Sequence, residues 1–121
     1  MLSEARRTPH EECCGLLGAR RGIISEIFPA GNARASRTAY EIAPEQLFPL
    51  MRRLRAAGLV LAGIYHSHPA GDNAPSPLDV ERAYYPEAAY FILSPLPESP
   101  RPVRAFSIQN GRVTELTIKP A

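Results

Sequence analysis

The sequence of 121 residues contains two cysteines, one lysine and no tryptophan. The cysteines, Cys13 and Cys14, are adjacent, and a disulfide framework needs cysteines spread along the chain. No apolar run approaches the ~20 residues that a membrane span requires. Residues 1–12 are polar and charged and lack the apolar segment of a secretory signal. These absences exclude a disulfide scaffold and a membrane protein, and we expect a cytoplasmic location.

The sequence also lacks a large excess of either charge, because its formal net charge is only +2. The basic residues form short, scattered clusters such as Arg6–Arg7 and Arg52–Arg53, whereas a nucleic-acid-binding protein typically carries a long basic stripe. The composition, 45% hydrophobic and 21% charged, is that of an ordinary globular protein. We therefore expect a single domain over residues 1–121 that does not bind nucleic acid.

Apolar patterning predicts the order helix, two strands, helix, strand, helix, three strands, which is a mixed α/β fold. Proline is abundant, and Pro49 inside the second helix predicts a kink or a late start. A short strand is also possible at Tyr40–Ile42. The predicted helices cover residues 2–11, 44–58 and 76–85. The predicted strands cover residues 13–18, 22–30, 59–69, 88–94, 103–109 and 113–119.

The two cysteines lie within the apolar run of residues 13–18. Free cysteine is among the most buried residue types, so burial as small hydrophobic side chains is the favoured interpretation. A catalytic thiol is the alternative.

Two of the three histidines, His66 and His68, stand at the polar end of the most hydrophobic predicted strand. Residues i and i+2 of a strand point to the same side, so both imidazoles can converge on one point. Neutral imidazole is the commonest metal ligand, and two on one face suit zinc. A polar strand end without metal is the other interpretation of this pair.

The segment Ser76-Pro77-Leu78-Asp79 follows the histidines after a short loop. A structural interpretation is that Ser76 caps a helix, Pro77 begins it and Asp79 complements its dipole. A functional interpretation is that Asp79 joins the two histidines as a third metal ligand. Three protein ligands would leave the fourth tetrahedral position to water, as in catalytic zinc sites.

Hydrolysis at such a metal requires a general base close to the attacking water. The candidates are Glu11 and Glu12, which directly precede the apolar run of the first strand. Taken without context, each glutamate is also typical of a solvated surface charge.

Together these residues resemble the motif of the JAMM (MPN-plus) metallopeptidases, particularly the compact bacterial members. That motif has a distant glutamate, then H-x-H-P, six residues and S-x-x-D. Here it corresponds to residues 66–69 and 76–79, and the upstream segment PHEECCGLLG resembles the glutamate region of the family. Asn32 and the run SRTAYEIAPEQL match as well, so the resemblance spans roughly residues 9–94.

The resemblance implies one Zn²⁺ per chain, bound by His66, His68 and Asp79. It implies that Glu12 transfers the proton and that Ser76 stabilises the oxyanion. Glu11 remains a minor rival to Glu12, because Pro9 stands one residue further from the glutamate than is usual in the family. The family fold is α/β, with a curved mixed sheet flanked by helices and related to the cytidine deaminases. The deaminase signature P-C-x-x-C is absent here.

The implied activity is zinc-dependent hydrolysis of an amide or isopeptide bond after the C-terminal Gly-Gly of a ubiquitin-like sulfur-carrier protein. The implied partner is this β-grasp carrier or its conjugate, with its extended tail lying along a sheet edge. The alternative is a non-catalytic MPN scaffold that binds partners. The oligomeric state is not determined by the sequence.

Overall fold

The computed structural model describes residues 1–7, 9, 12–31, 44–69 and 72–119. The order of helices and strands in these residues confirms the order predicted from the sequence. The possible strand at Tyr40–Ile42 lies outside the described residues. The elements are α1 (Leu2–Arg7), β1 (Cys14–Arg20), β2 (Ile23–Ala30), α2 (Pro44–Ala56), β3 (Val60–Ser67), α3 (Pro77–Glu81), β4 (Ala89–Leu93), β5 (Val103–Gln109) and β6 (Arg112–Leu116).

The six strands form one mixed sheet in the order β2-β1-β3-β4-β5-β6. β3 and β4 are parallel, and the other neighbouring pairs are antiparallel. A parallel pair needs a crossover connection, and the segment that contains α3 provides it. The register places His66 opposite Cys14 of β1 and Ile92 of β4, so this histidine lies at the centre of the sheet.

The sheet lies between two helices, as the family resemblance implies. On one face, Leu50 and Leu54 of α2 pack into a cluster with Leu16, Ile64 and other buried side chains. On the opposite face, Ala5 of α1 packs with a second buried cluster, which comprises Cys13, Leu17, Tyr65, Phe91, Leu93 and Ala105. The central strands β1, β3 and β4 therefore form the most buried layer. The end of β3 that carries His66 is paired on both sides, with β1 and with β4.

Some boundaries differ from the prediction. α1 ends at Arg7 and not at residue 11, because Pro9 lacks the backbone N–H that a continuing helix would use. α2 begins at Pro44 and contains Pro49, so the late start is wrong. α3 ends at Glu81 and not at residue 85, since Arg82 already has non-helical ψ at the C-cap. In the described part of the chain, none of the helices has the length and apolar character needed to cross a bilayer.

Candidate metal centre

The end of β3 brings the two motif histidines to one point. His66 is 1% exposed, and His68 follows just after the strand. The N–H of His68 donates to the carbonyl of Leu93 at 2.8 Å, which keeps the chain extended alongside β4. The Nε2 atoms of His66 and His68 lie 3.1 Å apart. The predicted convergence of the two imidazoles is confirmed.

The start of α3 supplies a carboxylate to the same point. Ser76 and Asp79 form a reciprocal capping box: Asp79 N–H donates to Ser76 Oγ at 3.1 Å, and Ser76 N–H donates to Asp79 Oδ2 at 2.8 Å. Asp79 also reaches the histidines, with Oδ1 3.2 Å from His66 Nε2 and Oδ2 3.1 Å from His68 Nε2. The capping interpretation of this segment is confirmed, and the same cap aims the carboxylate at the imidazoles.

A backbone carbonyl determines which nitrogen of His68 faces this carboxylate. His68 Nδ1 lies 2.5 Å from the carbonyl oxygen of Asp72, and a carbonyl can only accept. Nδ1 therefore carries the proton, and in the neutral ring Nε2 presents its lone pair to Asp79 and His66. This arrangement is typical of metal-binding histidines, whose second ring nitrogen donates to a carbonyl or carboxylate.

The donor atoms fit a divalent metal ion. A lone pair facing a carboxylate oxygen and another imidazole nitrogen at 3.1 Å is repulsive unless a proton or a cation lies between them. Ligand atoms on a tetrahedral zinc ion, each at about 2.0–2.1 Å from the metal, are separated by roughly 3.3–3.4 Å. The observed separations of 3.1–3.2 Å among the two Nε2 atoms and the Asp79 oxygens are close to that spacing.

Glu12 enters the same space from the segment just before β1. It is 2% exposed, and one of its oxygens lies within 4.8 Å of ring nitrogens of both His66 and His68. The rival Glu11 lies outside the described residues. The structure thus brings together all five predicted site residues: Glu12, His66, His68, Ser76 and Asp79.

Burial raises the pKa of Glu12 to about 7; the charge of His68 opposes this rise and that of Asp79 adds to it. A carboxylate with this pKa can both accept and release a proton near neutral pH, which is the property of an efficient general base and acid. A strongly perturbed pKa in a cluster of this kind is also typical of functional sites.

The charges of the ligand candidates follow from burial and from their mutual contacts. Burial lowers the pKa of His66, which favours the neutral form that metals bind. Burial alone would raise the pKa of Asp79, but the contacts of its oxygens with Nε2 of His66 and of His68 outweigh burial. Without a metal, these nitrogens donate to the ionised carboxylate when they carry a proton, which holds the pKa of Asp79 well below its usual range. For His68, burial opposes protonation, yet the contacts with Asp79 and Asp72 raise its pKa.

Cys13 and Cys14 are buried and free, as predicted. Burial raises the pKa of the Cys14 thiol to about 12, so this residue is a thiol at neutral pH. Since the thiolate is the nucleophilic form, the alternative of a catalytic thiol finds no support at Cys14.

Two contacts around the site were not predicted from the sequence. One is the Asp72 carbonyl that orients His68, and the other is a hydrogen bond from Cys13 N–H to Ser67 Oγ. The sequence could not predict the contact between Asp72 and His68, because every residue has a backbone carbonyl and the residue type at position 72 does not indicate this contact. The second depends on the register of β1 against β3, which the motif spacing does not specify.

The chain belongs to the prokaryotic JAB family. The family model described as "Prokaryotic homologs of the JAB domain" matches residues 1–109, which is most of the chain. The family resemblance inferred from the motif is therefore confirmed.

Two relatives carry functional names. The desampylase of Haloferax volcanii is 37% identical over 102 residues, covering 78% of this chain and 73% of that protein. The CysO-cysteine peptidase of Mycobacterium tuberculosis is 33% identical over 117 residues, covering 95% of this chain and 80% of that protein. Both names describe hydrolases.

Solved structures agree with the fold. Protein DSY2949 from Desulfitobacterium hafniense has a TM-score of 0.83 at 32% identity, covering 96% of this chain and 82% of that one. A JAB1/MPN domain protein from Archaeoglobus fulgidus, AF2198, has a TM-score of 0.61 at 18% identity, covering 95% and 86%. The second likeness concerns the fold alone, and it confirms the JAMM/MPN architecture with a mixed sheet between helices.

Proposed function

We propose that this chain is a zinc-dependent peptidase that hydrolyses the amide or isopeptide bond after the C-terminal Gly-Gly of a ubiquitin-like sulfur-carrier protein. The observation that carries the proposal is the convergence of two imidazoles and a carboxylate beside a buried glutamate whose pKa is about 7. The names of the relatives, desampylase and CysO-cysteine peptidase, support the substrate class.

One Zn²⁺ per chain would be held by His66 Nε2, His68 Nε2 and a carboxylate oxygen of Asp79. Two nitrogens and one oxygen make three protein ligands, the number found in catalytic zinc sites. Bound there, zinc would supply Lewis-acid activation of water and of the scissile carbonyl. The Asp72 carbonyl and the capping box of α3 keep His68 and Asp79 oriented for this role.

Glu12 acts as the proton carrier. Its carboxylate takes a proton from the attacking water and transfers it to the amine of the leaving group as the amide bond breaks. Burial assists both steps, because it brings the pKa of Glu12 to about 7.

Ser76 stabilises the oxyanion of the tetrahedral intermediate. Its Oγ accepts the Asp79 N–H, and accepting that bond does not use the hydroxyl proton, which can still be donated. A hydroxyl donor fixed by a helix cap is preorganised, and preorganised donors are what lowers the barrier in acyl transfer.

The non-catalytic scaffold is the other candidate for this fold. Such a protein would need neither the ligands nor the base. This chain keeps all five motif residues: Asp79 lies against both histidines, Glu12 lies within 4.8 Å of their ring nitrogens, and Ser76 is hydrogen-bonded to Asp79. The hydrolase is therefore the better proposal. The single domain over residues 1–121 and the cytoplasmic location stay predictions.

The test uses a ubiquitin-like carrier with one cysteine attached through an amide bond to its C-terminal Gly-Gly, followed by intact-mass spectrometry. We expect the full chain with zinc to release the cysteine, a chelator to stop the release and added zinc to restore it. Glu12→Gln should lower the rate by about 10²–10⁴-fold with zinc retained. His68→Ala should lose both zinc and activity.

The matched control is Glu45→Gln, which removes an exposed carboxylate on α2 and should leave the rate unchanged. If the zinc-loaded wild type left carriers bearing either an amino acid or a protein at the C terminus intact, the hydrolase proposal would be wrong and the scaffold would replace it.

A further inference from the structure

We propose that Ser67 is a positioning residue that, through Cys13, sets the place of Glu12 relative to His66 and His68. The inference rests on the proposed hydrolytic function. It assigns a role to the residue between the two histidines, whose side chain points away from the metal centre.

The contact consists of two hydrogen bonds between adjacent strands. Cys13 N–H donates to Ser67 Oγ at 2.9 Å, and Ser67 N–H donates to the Cys13 carbonyl at 3.0 Å. In a hydrogen-bonded antiparallel pair, the two residues exchange both backbone bonds. Here the Cys13 N–H donates to the Ser67 hydroxyl, which takes the place of the Ser67 backbone carbonyl as acceptor. This contact follows directly after the last regular pair of the two strands, Cys14 with His66.

Each residue in this contact is adjacent in sequence to a residue of the candidate metal centre. Cys13 directly follows Glu12, and Ser67 is flanked by His66 and His68. The two hydrogen bonds therefore join the segment that carries the base to the segment that carries both imidazoles. A shift of Cys13 away from β3 moves Glu12 with it, while the histidines remain held by their own strand.

Burial makes the hydroxyl difficult to replace. Ser67 is 0% exposed, and Cys13 is also buried, so water has little access to the Cys13 N–H. A buried donor that loses its acceptor is costly, and the strand end is expected to move to satisfy it. Since neighbouring strand residues point to opposite faces, Ser67 lies on the face away from the imidazoles, and its side chain is fully buried there.

Strand pairing and a backbone hydrogen bond hold the histidines independently of the Ser67 hydroxyl. His66 is held by strand pairing to Cys14 and Ile92, and His68 N–H donates to the Leu93 carbonyl. Removing the hydroxyl should therefore displace Glu12 and leave metal binding intact. This separation distinguishes positioning of the base from general support of the fold.

The experiment compares Ser67→Ala, Ser67→Thr and the control Ser94→Ala in the full chain. Ser94 is also fully buried at the end of the neighbouring strand, and its Oγ accepts the backbone N–H of Leu96. We expect Ser67→Ala to lower kcat by about 10–100-fold, since a shift of the order of 1 Å at a reacting group has that effect. KM and one zinc per chain should be retained, and Ser67→Thr should restore most of kcat.

A double-mutant cycle tests whether Ser67 acts through Glu12. If it does, Ser67→Ala combined with Glu12→Gln should be no slower than Glu12→Gln alone. Additive losses of rate would overturn the proposal, as would loss of zinc in Ser67→Ala or an equal loss of kcat in Ser94→Ala.

Hydrogen exchange gives a readout that does not depend on activity. In Ser67→Ala, the Cys13 amide should exchange about 10–100-fold faster, with the Leu17 amide in the middle of β1 unchanged. An unchanged Cys13 amide would overturn the positioning role even if the protein hydrolysed nothing. A faster Cys13 amide in a chain that cleaves no carrier would contradict the proposed function and leave the contact established.

Discussion

The burial of Glu12 favours catalysis but lowers the stability of the folded chain. Burial raises its pKa to about 7, which suits proton transfer, but it also makes the ionised carboxylate unfavourable in the folded chain. Residues adapted to catalysis often lower stability in this way. The stability of the protein should therefore depend on pH through this residue.

The sign of that dependence follows from the shift. The pKa of Glu12 is raised from 4.5 to about 7, so the folded state holds the proton more tightly than the unfolded state. The stabilising contribution is complete below about pH 4.5 and is lost as the pH rises through 7. Glu12→Gln should thus raise the free energy of unfolding of chelator-treated protein at pH 8 by about 1–3 kcal/mol, with little effect at pH 4.

Urea denaturation at both pH values, with Glu45→Gln as the exposed control, measures the difference. An equal effect of Glu12→Gln at pH 4 and pH 8 would show that burial does not raise the pKa of Glu12.

At the scale of elements, α3 is only five residues long, yet its capping box supplies two groups of the site. Ser76→Ala removes the cap acceptor and the hydroxyl donor together. We expect a loss of about 1 kcal/mol in the free energy of unfolding. The loss of kcat should be about 10²–10³-fold, as when an oxyanion donor is removed.

The matched variant is Ser76→Asn, because asparagine is an equally good cap. It should restore stability and show how much of the rate depends on the hydroxyl. If Ser76→Ala lost stability but no activity, Ser76 would be a helix cap alone.

A polar contact between Tyr65 and Glu4 anchors the short helix α1 to β3. The Tyr65 hydroxyl donates to Glu4 Oε1 at 2.6 Å from a fully buried ring. Tyr65→Phe should lower the free energy of unfolding by about 1.5–3 kcal/mol, because the acceptor is a charged carboxylate. Tyr84→Phe is the control, since Tyr84 is 72% exposed and should change little. Equal effects of the two variants in urea denaturation would exclude an anchoring role.

The elements themselves were largely predictable. The apolar run before His66 predicts the central strand, and the Ser76-Pro77 start predicts α3, because caps and strand alternation are local properties. The pairing of Cys13 with Ser67 and of Tyr65 with Glu4 was not predictable, since residues 54 and 61 positions apart meet only through the register of the fold. The motif spacing indicated the five site residues but not the contacts that hold them.

At the scale of the whole molecule, the candidate metal centre joins three segments that are distant in sequence: the entry to β1, the end of β3 and the start of α3. A ligand that binds only the folded state stabilises it by RT ln(1 + [L]/Kd), so the stabilisation grows with the logarithm of the free ligand concentration. Zinc at 100 times its dissociation constant should therefore raise the free energy of unfolding by about 2.7 kcal/mol.

Thermal unfolding with and without zinc measures this stabilisation, and Asp79→Asn should abolish most of it. Equal stabilisation of the wild type and Asp79→Asn would place the metal elsewhere on the chain.

The most direct measurement is the zinc content of untagged, purified protein by inductively coupled plasma mass spectrometry. We predict about one zinc per chain in the wild type and in Glu12→Gln, and almost none in His68→Ala and Asp79→Ala. Wild-type protein without zinc, even after reconstitution, would contradict the metal centre and leave the motif as the architecture of a binding scaffold.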